Sequence, residues 1–296
     1  MNGRTPDDII KECLSMSDKG ISVKKILEFH NTETGKKTSY GSFTSTLAKW
    51  RKKSLLNKKR LWLLPEEERK KHPRVVGIIG DTQHPFEHTR SLEIVIDTFI
   101  EWKVTVVVHI GDLIDNAAIS DYESSDEAYN VNQETSLAKK HLAKWVEAFP
   151  SVKVCIGNHD MRYFKKLKKL GLKNEAKDIY RNKFGLPQTW ELEKEFIIDN
   201  VKYKHRPLGG KFGFFNIAIF QLKSVVTGHA HSNFGIKYQS YDEGLHFGMG
   251  VGCLIDIDYY AFDYTEDAQN MPILGCGIVI SENEAYPIPM AKKYLN

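Results

Sequence analysis

Val104-Thr-Val-Val-Val-His-Ile110, running into Gly111-Asp112-Leu-Ile-Asp115-Asn116, is a β-branched stretch that breaks into a polar turn. A short apolar run bounded by glycine reads as a buried strand. Outward from it the pattern recurs. Val75–Ile79 leads to Gly80-Asp81, Val152–Ile156 leads to Gly157-Asn158-His159-Asp160, and Val226-Thr-Gly-His229-Ala-His231 ends another short apolar run. Ser91–Trp102 and Ser136–Phe149 have the spacing of amphipathic helices and link the first three strands. Strand, polar turn and helix in alternation predict a βαβ core with parallel strands and right-handed crossovers. The second half is richer in strands, expected at Phe196–Lys204, Ser224–Thr227, Gly235–Ser240, Leu245–Val251 and Leu274–Ile280.

The 296 residues suffice for one large domain, or for a catalytic domain with a small appendage. Hydrophobic residues at 41% and charged residues at 27% are ordinary for a globular protein. No stretch approaches the roughly 20 apolar residues of a membrane span, and the first residues lack an apolar signal core. Cys13, Cys155, Cys253 and Cys276 are scattered without a C-x-x-C pair, which predicts reduced thiols and a cytoplasmic location, in a host cytoplasm if the chain is phage-encoded.

The net charge of +4 conceals segregation: residues 49–74 carry eleven Lys/Arg against three Glu, and residues 112–134 carry seven Asp/Glu and no Lys or Arg. Residues 163–183 return to eight basic side chains against two acidic ones. That last run reads as a solvated face; the first has the better claim to a partner. Three short helices are expected before it, at residues 6–16, 22–30 and 39–53. In the third, Phe43, Leu47 and Trp50 share a stripe while Lys49, Arg51, Lys52 and Lys53 crowd the end. Helices of this length and charge resemble a helix-turn-helix module, with those four cations as its DNA contacts; a helical docking appendage is the alternative. The expected organisation is a helical domain over residues 1–56, a charged linker over 57–74 and a catalytic domain over 75–296.

Ligands bind where parallel strands end, because the loops diverge there. Asp81, Asp112, Asn158, His205, His229 and His231 offer oxygen and imidazole donors and no thiolate, a set suited to Mn²⁺, Fe, Zn²⁺ or Ni²⁺ rather than Ca²⁺. The clusters resemble the motif series of the calcineurin-like metallophosphoesterase superfamily: D-x-H, G-D-x-x-D, G-N-H-D/E, a lone His and G-H-x-H, in that order over about residues 75–285. The phage and bacterial branch is the nearest in pattern, with an arginine after the third motif (Gly157-Asn-His-Asp-Met-Arg162) and a Phe-Pro before it (Phe149-Pro150).

The resemblance implies a two-sheet α/β sandwich flanked by helices and two divalent metal ions, Mn²⁺ foremost. Asp112 would bridge the ions, Asp81 and His231 would hold the first, and Asn158, His205 and His229 the second. Hydroxide on the ions would be the nucleophile, and His159 would protonate the leaving oxygen. Asp160 would orient His159, Asp115 would orient another ligand, and Arg162 would meet substrate phosphate or else an acidic loop. Gln83 stands where the family has histidine. Its amide is a weaker ligand; alternatively His84 takes the role through a shifted turn, or water fills the position.

Of the other histidines, His109 reads as core and His88 as surface, while His30, His72, His141 and His246 carry no spacing signal. The acidic segment 117–134 and Tyr259–Tyr264 would wall the cleft. Three functions remain in competition: a phosphodiesterase acting on DNA, a phosphomonoesterase acting on a phosphoprotein or nucleotide, and a DNA-binding protein whose catalysis has decayed.

Overall fold

The computed structural model describes residues 5–19, 21–57, 60–120, 129–242, 244–256 and 271–290. The chain forms two compact units, one ending at Lys59 and one beginning at Arg60. In the first, α1 (Pro6–Asp18), α2 (Val23–Thr34) and α3 (Tyr40–Asn57) enclose a core of Ile9, Cys13, Ile26, Phe43 and Leu47. Thr5 and Asp8 bond reciprocally at the start of α1 as a capping box, which satisfies donors the helix cannot. His30 lies in this core, its ring 5.0 Å from Phe43 and 5.5 Å from Trp50. Lys49 is exposed; Arg51, Lys52 and Lys53 continue the backbone of α3, and their side chains lie outside the described residues.

From Arg60 onward the stretch read as a charged linker is structured. Leu61 and Trp62 are buried, Trp62 donates its indole N–H to the Ala148 carbonyl at 2.9 Å, and its ring packs on Phe99 and Phe149. Charge dominates the composition of 57–74, but this apolar Leu-Trp pair anchors its middle to the larger unit. A short helix, α4 (Glu66–Arg69), follows.

The larger unit is a sandwich of two sheets. The first orders its strands β11-β10-β1-β2-β3-β4: β1 (Val76–Ile79), β2 (Val106–His109), β3 (Val152–Cys155) and β4 (Trp190–Glu193) run parallel, β10 (Gly275–Ser281) is antiparallel to β1, and β11 (Glu284–Pro289) is antiparallel to β10 at the edge. The second is β5-β6-β7-β9-β8, from β5 (Glu195–Ile198), β6 (Val201–Lys204), β7 (Val225–Thr227), β8 (Phe234–Tyr241) and β9 (Gly244–Val251). Ile78, Val108, Cys155, Val201, Tyr203, Val226, Phe247, Met249 and Val251 meet between the sheets. On the first sheet's outer side lie α5 (Ser91–Glu101) and α6 (Val131–Ala148), where Phe99 of α5 sits against Gly77 so closely that a Cβ there would lie 2.7 Å from the ring. Asn130 and Gln133 form the capping box that starts α6 five residues before the expected Ser136. Further helices are α7 (Asn158–Lys169), α8 (Ala176–Phe184) and α9 (Gly213–Gln221).

One expected strand is two. Phe196–Lys204 divides at Asp199 and Asn200, both left-handed at φ 48° and 63°, so that β5 and β6 form a tight hairpin. Paired positive φ is the geometry that matches strand twist, and Asp and Asn tolerate it better than other non-glycine residues. β11 escaped sequence reading because Pro287 and Pro289 interrupt it; proline is tolerated there because the strand lies at the sheet edge.

Candidate metal centre

Five strands aim their carboxyl ends at one place. β1 delivers Asp81, β2 Asp112, β3 Asn158, β6 His205 and β7 His229 and His231. Asp112 Oδ2 lies 3.2 Å from His205 Nε2, which in turn is 3.0 Å from Asn158 Oδ1. Asp81 Oδ2 is 3.2 Å from His231 Nε2 and accepts the His229 backbone N–H at 2.9 Å. His205 Nδ1 lies 3.8 Å from Asp81 Oδ1, and its ring centroid is 5.1 Å from that of His229. The six donors therefore form one cluster, within which Asp112, His205 and His229 can each turn a ligand atom to within 4.8 Å of the others.

The motif glycines are explained by what presses on them. A Cβ on Gly157 would overlap the Asp112 carboxylate, and one on Gly228 would overlap that of Asp81. The backbone is strained at the same place: Gln83, Asp112, Asn116 and His229 have φ of 45°, 50°, 54° and 67°. Non-glycine residues held in the left-handed region cost energy and gather where geometry matters more than stability.

His159, at the N-terminus of α7, is tied at Nδ1 to Asp115, 2.8 Å from its Oδ1 and 3.0 Å from its carbonyl. Its backbone N–H donates to Asp112 Oδ1 at 2.8 Å. The orienting role expected of Asp160 falls to Asp115 instead. Asp160 is buried and accepts hydrogen bonds from the Gly157, Leu113 and Ile114 N–H groups and from the Tyr180 hydroxyl, so it fixes the 111–115 turn rather than the imidazole. Tyr180 was missed because it lies on α8, 20 residues beyond Asp160, with no motif around it. Asn116 was passed over too; it donates to the His159 carbonyl at 3.2 Å. Arg162 donates from Nη1 to the Asp115 carbonyl at 2.9 Å, a backbone acceptor rather than the acidic side chain considered as its alternative partner.

The Gln83 amide points into the site, 3.4 Å from His159 Nε2. His84 is turned away, with Nδ1 2.8 Å from Glu87 and its ring packed on Trp145. These contacts hold the ring away from the ligand cluster, so a shifted turn does not bring His84 to it. Glu87 also takes His141 at 2.9 Å, a link no spacing signalled. His109 is buried as expected, bonded to Thr82 at 3.0 Å, and burial drives its pKa down to about 3. Of the expected cleft walls, residues 121–128 and Tyr259–Tyr264 lie outside the described residues; Glu134 is buried and accepts the Ala117 and Ala118 N–H groups.

The residues present fit a divalent cation. Asp81 and Asp112 are 0% and 1% exposed, and Asp81 Oδ1 is buried with no hydrogen-bond donor among the described residues. Two carboxylates in so closed a space demand positive charge. His205 supplies it as a proton: burial would lower its pKa, but Asp112 and Asp81 outweigh that and push it up to about 9. Burial and the neighbouring His205 lower His229 to about 4, which leaves it neutral and ready to ligate. For His159 burial is again outweighed, by the hydrogen bond it donates to Asp115 and by the charges of Asp112 and Asp115, so its pKa rises.

This sandwich, with mixed carboxylate and imidazole donors at its strand ends, is the architecture of a metal-dependent phosphoester hydrolase. The chain belongs to the calcineurin-like phosphoesterase family, whose model matches residues 74–243, and is thus a metallophosphoesterase. Solved structures similar to it include Vacuolar Protein Sorting 29 from Cryptosporidium parvum, at 11% identity over 74% of this chain and 93% of that one, with a TM-score of 0.39. A candidate diadenosine tetraphosphatase is 16% identical over 77% of this chain and 97% of that one (TM-score 0.38). The Pseudomonas putida nuclease MPE is 12% identical over 75% and 89% (TM-score 0.31). No curated protein matches the chain. Among the described residues no helix is long and apolar enough to cross a membrane.

Proposed function

We propose that the chain is a phosphodiesterase acting on nucleic acid, DNA foremost. The observation that carries the hydrolytic part is the meeting of Asp81, Asp112, Asn158, His205, His229 and His231 in one cluster, with Asp81 Oδ1 buried and without a donor among the described residues. Asp112 would bridge two ions, with Asp81 and His231, aided by Gln83, on one and Asn158, His205 and His229 on the other. Bound divalent ions, Mn²⁺ first among Fe, Zn²⁺ and Ni²⁺, would neutralise phosphoryl charge and acidify the attacking water.

The protein's own groups do the rest. His159 keeps Nδ1 against Asp115 and so presents Nε2 to the site. Its raised pKa holds a proton there for the leaving oxygen. Arg162 spends one N–H on the Asp115 carbonyl, and its remaining N–H groups would meet a non-bridging phosphate oxygen. What favours nucleic acid is the cationic composition of residues 49–74, with Lys49, Arg51, Lys52 and Lys53 on α3. The test is turnover by Mn²⁺-loaded protein of bis(p-nitrophenyl) phosphate, p-nitrophenyl phosphate and a DNA oligonucleotide. Faster hydrolysis of both diesters is expected. Preference for the monoester, with DNA untouched, would replace this reading by a phosphomonoesterase.

A further inference from the structure

We propose that the exposed face of α7 is a track for the backbone of a nucleic-acid strand, holding the phosphates that flank the one being hydrolysed. The inference rests on the phosphodiesterase reading and extends it to a second set of residues. α7 opens with Asn158 and His159 in the metal centre and runs outward to Lys169. Its inner face is occupied: Asp160 and Leu167 are buried, and Tyr163 and Phe164 pack on Tyr180 with ring centroids 5.7 and 5.0 Å away.

Asn158, Arg162, Lys165 and Lys169 fall at i, i+4, i+7 and i+11, a single stripe on the opposite side. The helix that positions one proposed metal ligand and the proposed acid therefore fixes where these cations stand. At ~1.5 Å of rise per residue, Arg162 to Lys169 spans about 10 Å. In a duplex one strand carries a phosphate every ~3.4 Å of axis, so a stripe of this length reaches past the phosphate being hydrolysed to its neighbours on the strand.

The basic run at 163–183, expected from composition to be an ordinary solvated face, separates into spent and available cations. Lys177 pairs with Glu193, Arg181 with Asp178, and Lys183 lies over the Tyr163 and Phe184 rings. Lys165 and Lys169 are exposed, and no ion pair among the described residues involves either. Favourable interaction with the helix dipole accounts for basic residues in the last turn, Lys166, Lys168 and Lys169, but not for Lys165 or Arg162.

The test is fluorescence anisotropy of a single-stranded phosphorothioate oligonucleotide with the full-length, Mn²⁺-loaded protein, read as log affinity against log salt. Each lost phosphate contact flattens that slope by ~0.7, so Lys165→Gln with Lys169→Gln should flatten it by about 1.4. The wild-type advantage then shrinks roughly sevenfold between about 50 and 200 mM salt. Lys168→Gln, an equal change of charge per residue on the other flank of α7, should leave the slope near that of wild type. Hydrolysis of bis(p-nitrophenyl) phosphate, which has no flanking phosphates, should be equal in all variants and reports that the centre is intact. A double variant with the wild-type slope, or a Lys168→Gln variant that flattens it as much per residue, overturns the track. Absence of diester hydrolysis in wild type overturns the phosphodiesterase reading instead, and the anisotropy slopes still decide the track on their own.

Discussion

His159 is where the account is most exposed at the scale of single residues. Its Nε2 faces the site while Nδ1 is held by Asp115. Replacing it by Ala should lower kcat by about a hundredfold or more while bound metal, measured by atomic emission, stays at the wild-type level. Loss of metal in step with activity would make it a ligand rather than an acid. Asp115→Asn tests the same pair through pH. Asp115 helps raise the His159 pKa, so removing its charge lowers that pKa, and less of the protonated acid remains as pH rises. The basic limb of the kcat profile should therefore move to lower pH; an unmoved limb would release Asp115 from this role. At this scale the residues that cluster at the strand ends were legible: Asp81, Asp112, Asn158, His229 and His231 stand in short motifs, and His205 is a lone histidine after a strand. Asp115 and Tyr180 were not read in their roles. Which carboxylate reaches the imidazole depends on the left-handed turn at Asp112 and Asn116, and Tyr180 arrives from another helix.

Among the elements, the parallel strands and their crossover helices follow directly from β-branched runs and amphipathic spacing. The β5–β6 hairpin does not, because Asp199-Asn200 lacks the glycine that usually marks so tight a turn. Asn200→Val should cost about 1–2 kcal/mol, since a β-branched side chain resists the left-handed conformation. Thermal unfolding reads this as a lowered Tm with activity retained below the transition, and an unchanged Tm would mean that the turn relaxes freely. β4 was missed for a different reason. Its four residues, Trp190–Glu193, are too few to show alternation, and its place beside β3 is set by tertiary pairing, with the Trp190 indole donating to the Phe149 carbonyl at 2.8 Å.

For the molecule as a whole, the chain divides into a helical unit and a two-sheet unit, and the proposed function assigns DNA affinity to the first and chemistry to the second. Changing Lys49, Arg51, Lys52 and Lys53 together to Gln should weaken binding of duplex DNA at low salt and leave hydrolysis of a small diester unaltered; equal affinity would reduce the first unit to a docking appendage. Charge composition is what suggests that partner, whereas the buried Leu61 and Trp62 inside the same basic stretch were hidden by it. Proton and metal compete for the centre. His205 holds a proton between Asp81 and Asp112, so metal uptake should release protons and tighten as pH rises towards about 9. The most direct measurement is anomalous diffraction from crystals of the full chain grown with Mn²⁺. Two peaks about 3.5–4 Å apart are expected, with Asp112 between them, Asp81 and His231 on one side and Asn158, His205 and His229 on the other. A single ion, or ions held by other side chains, would contradict it.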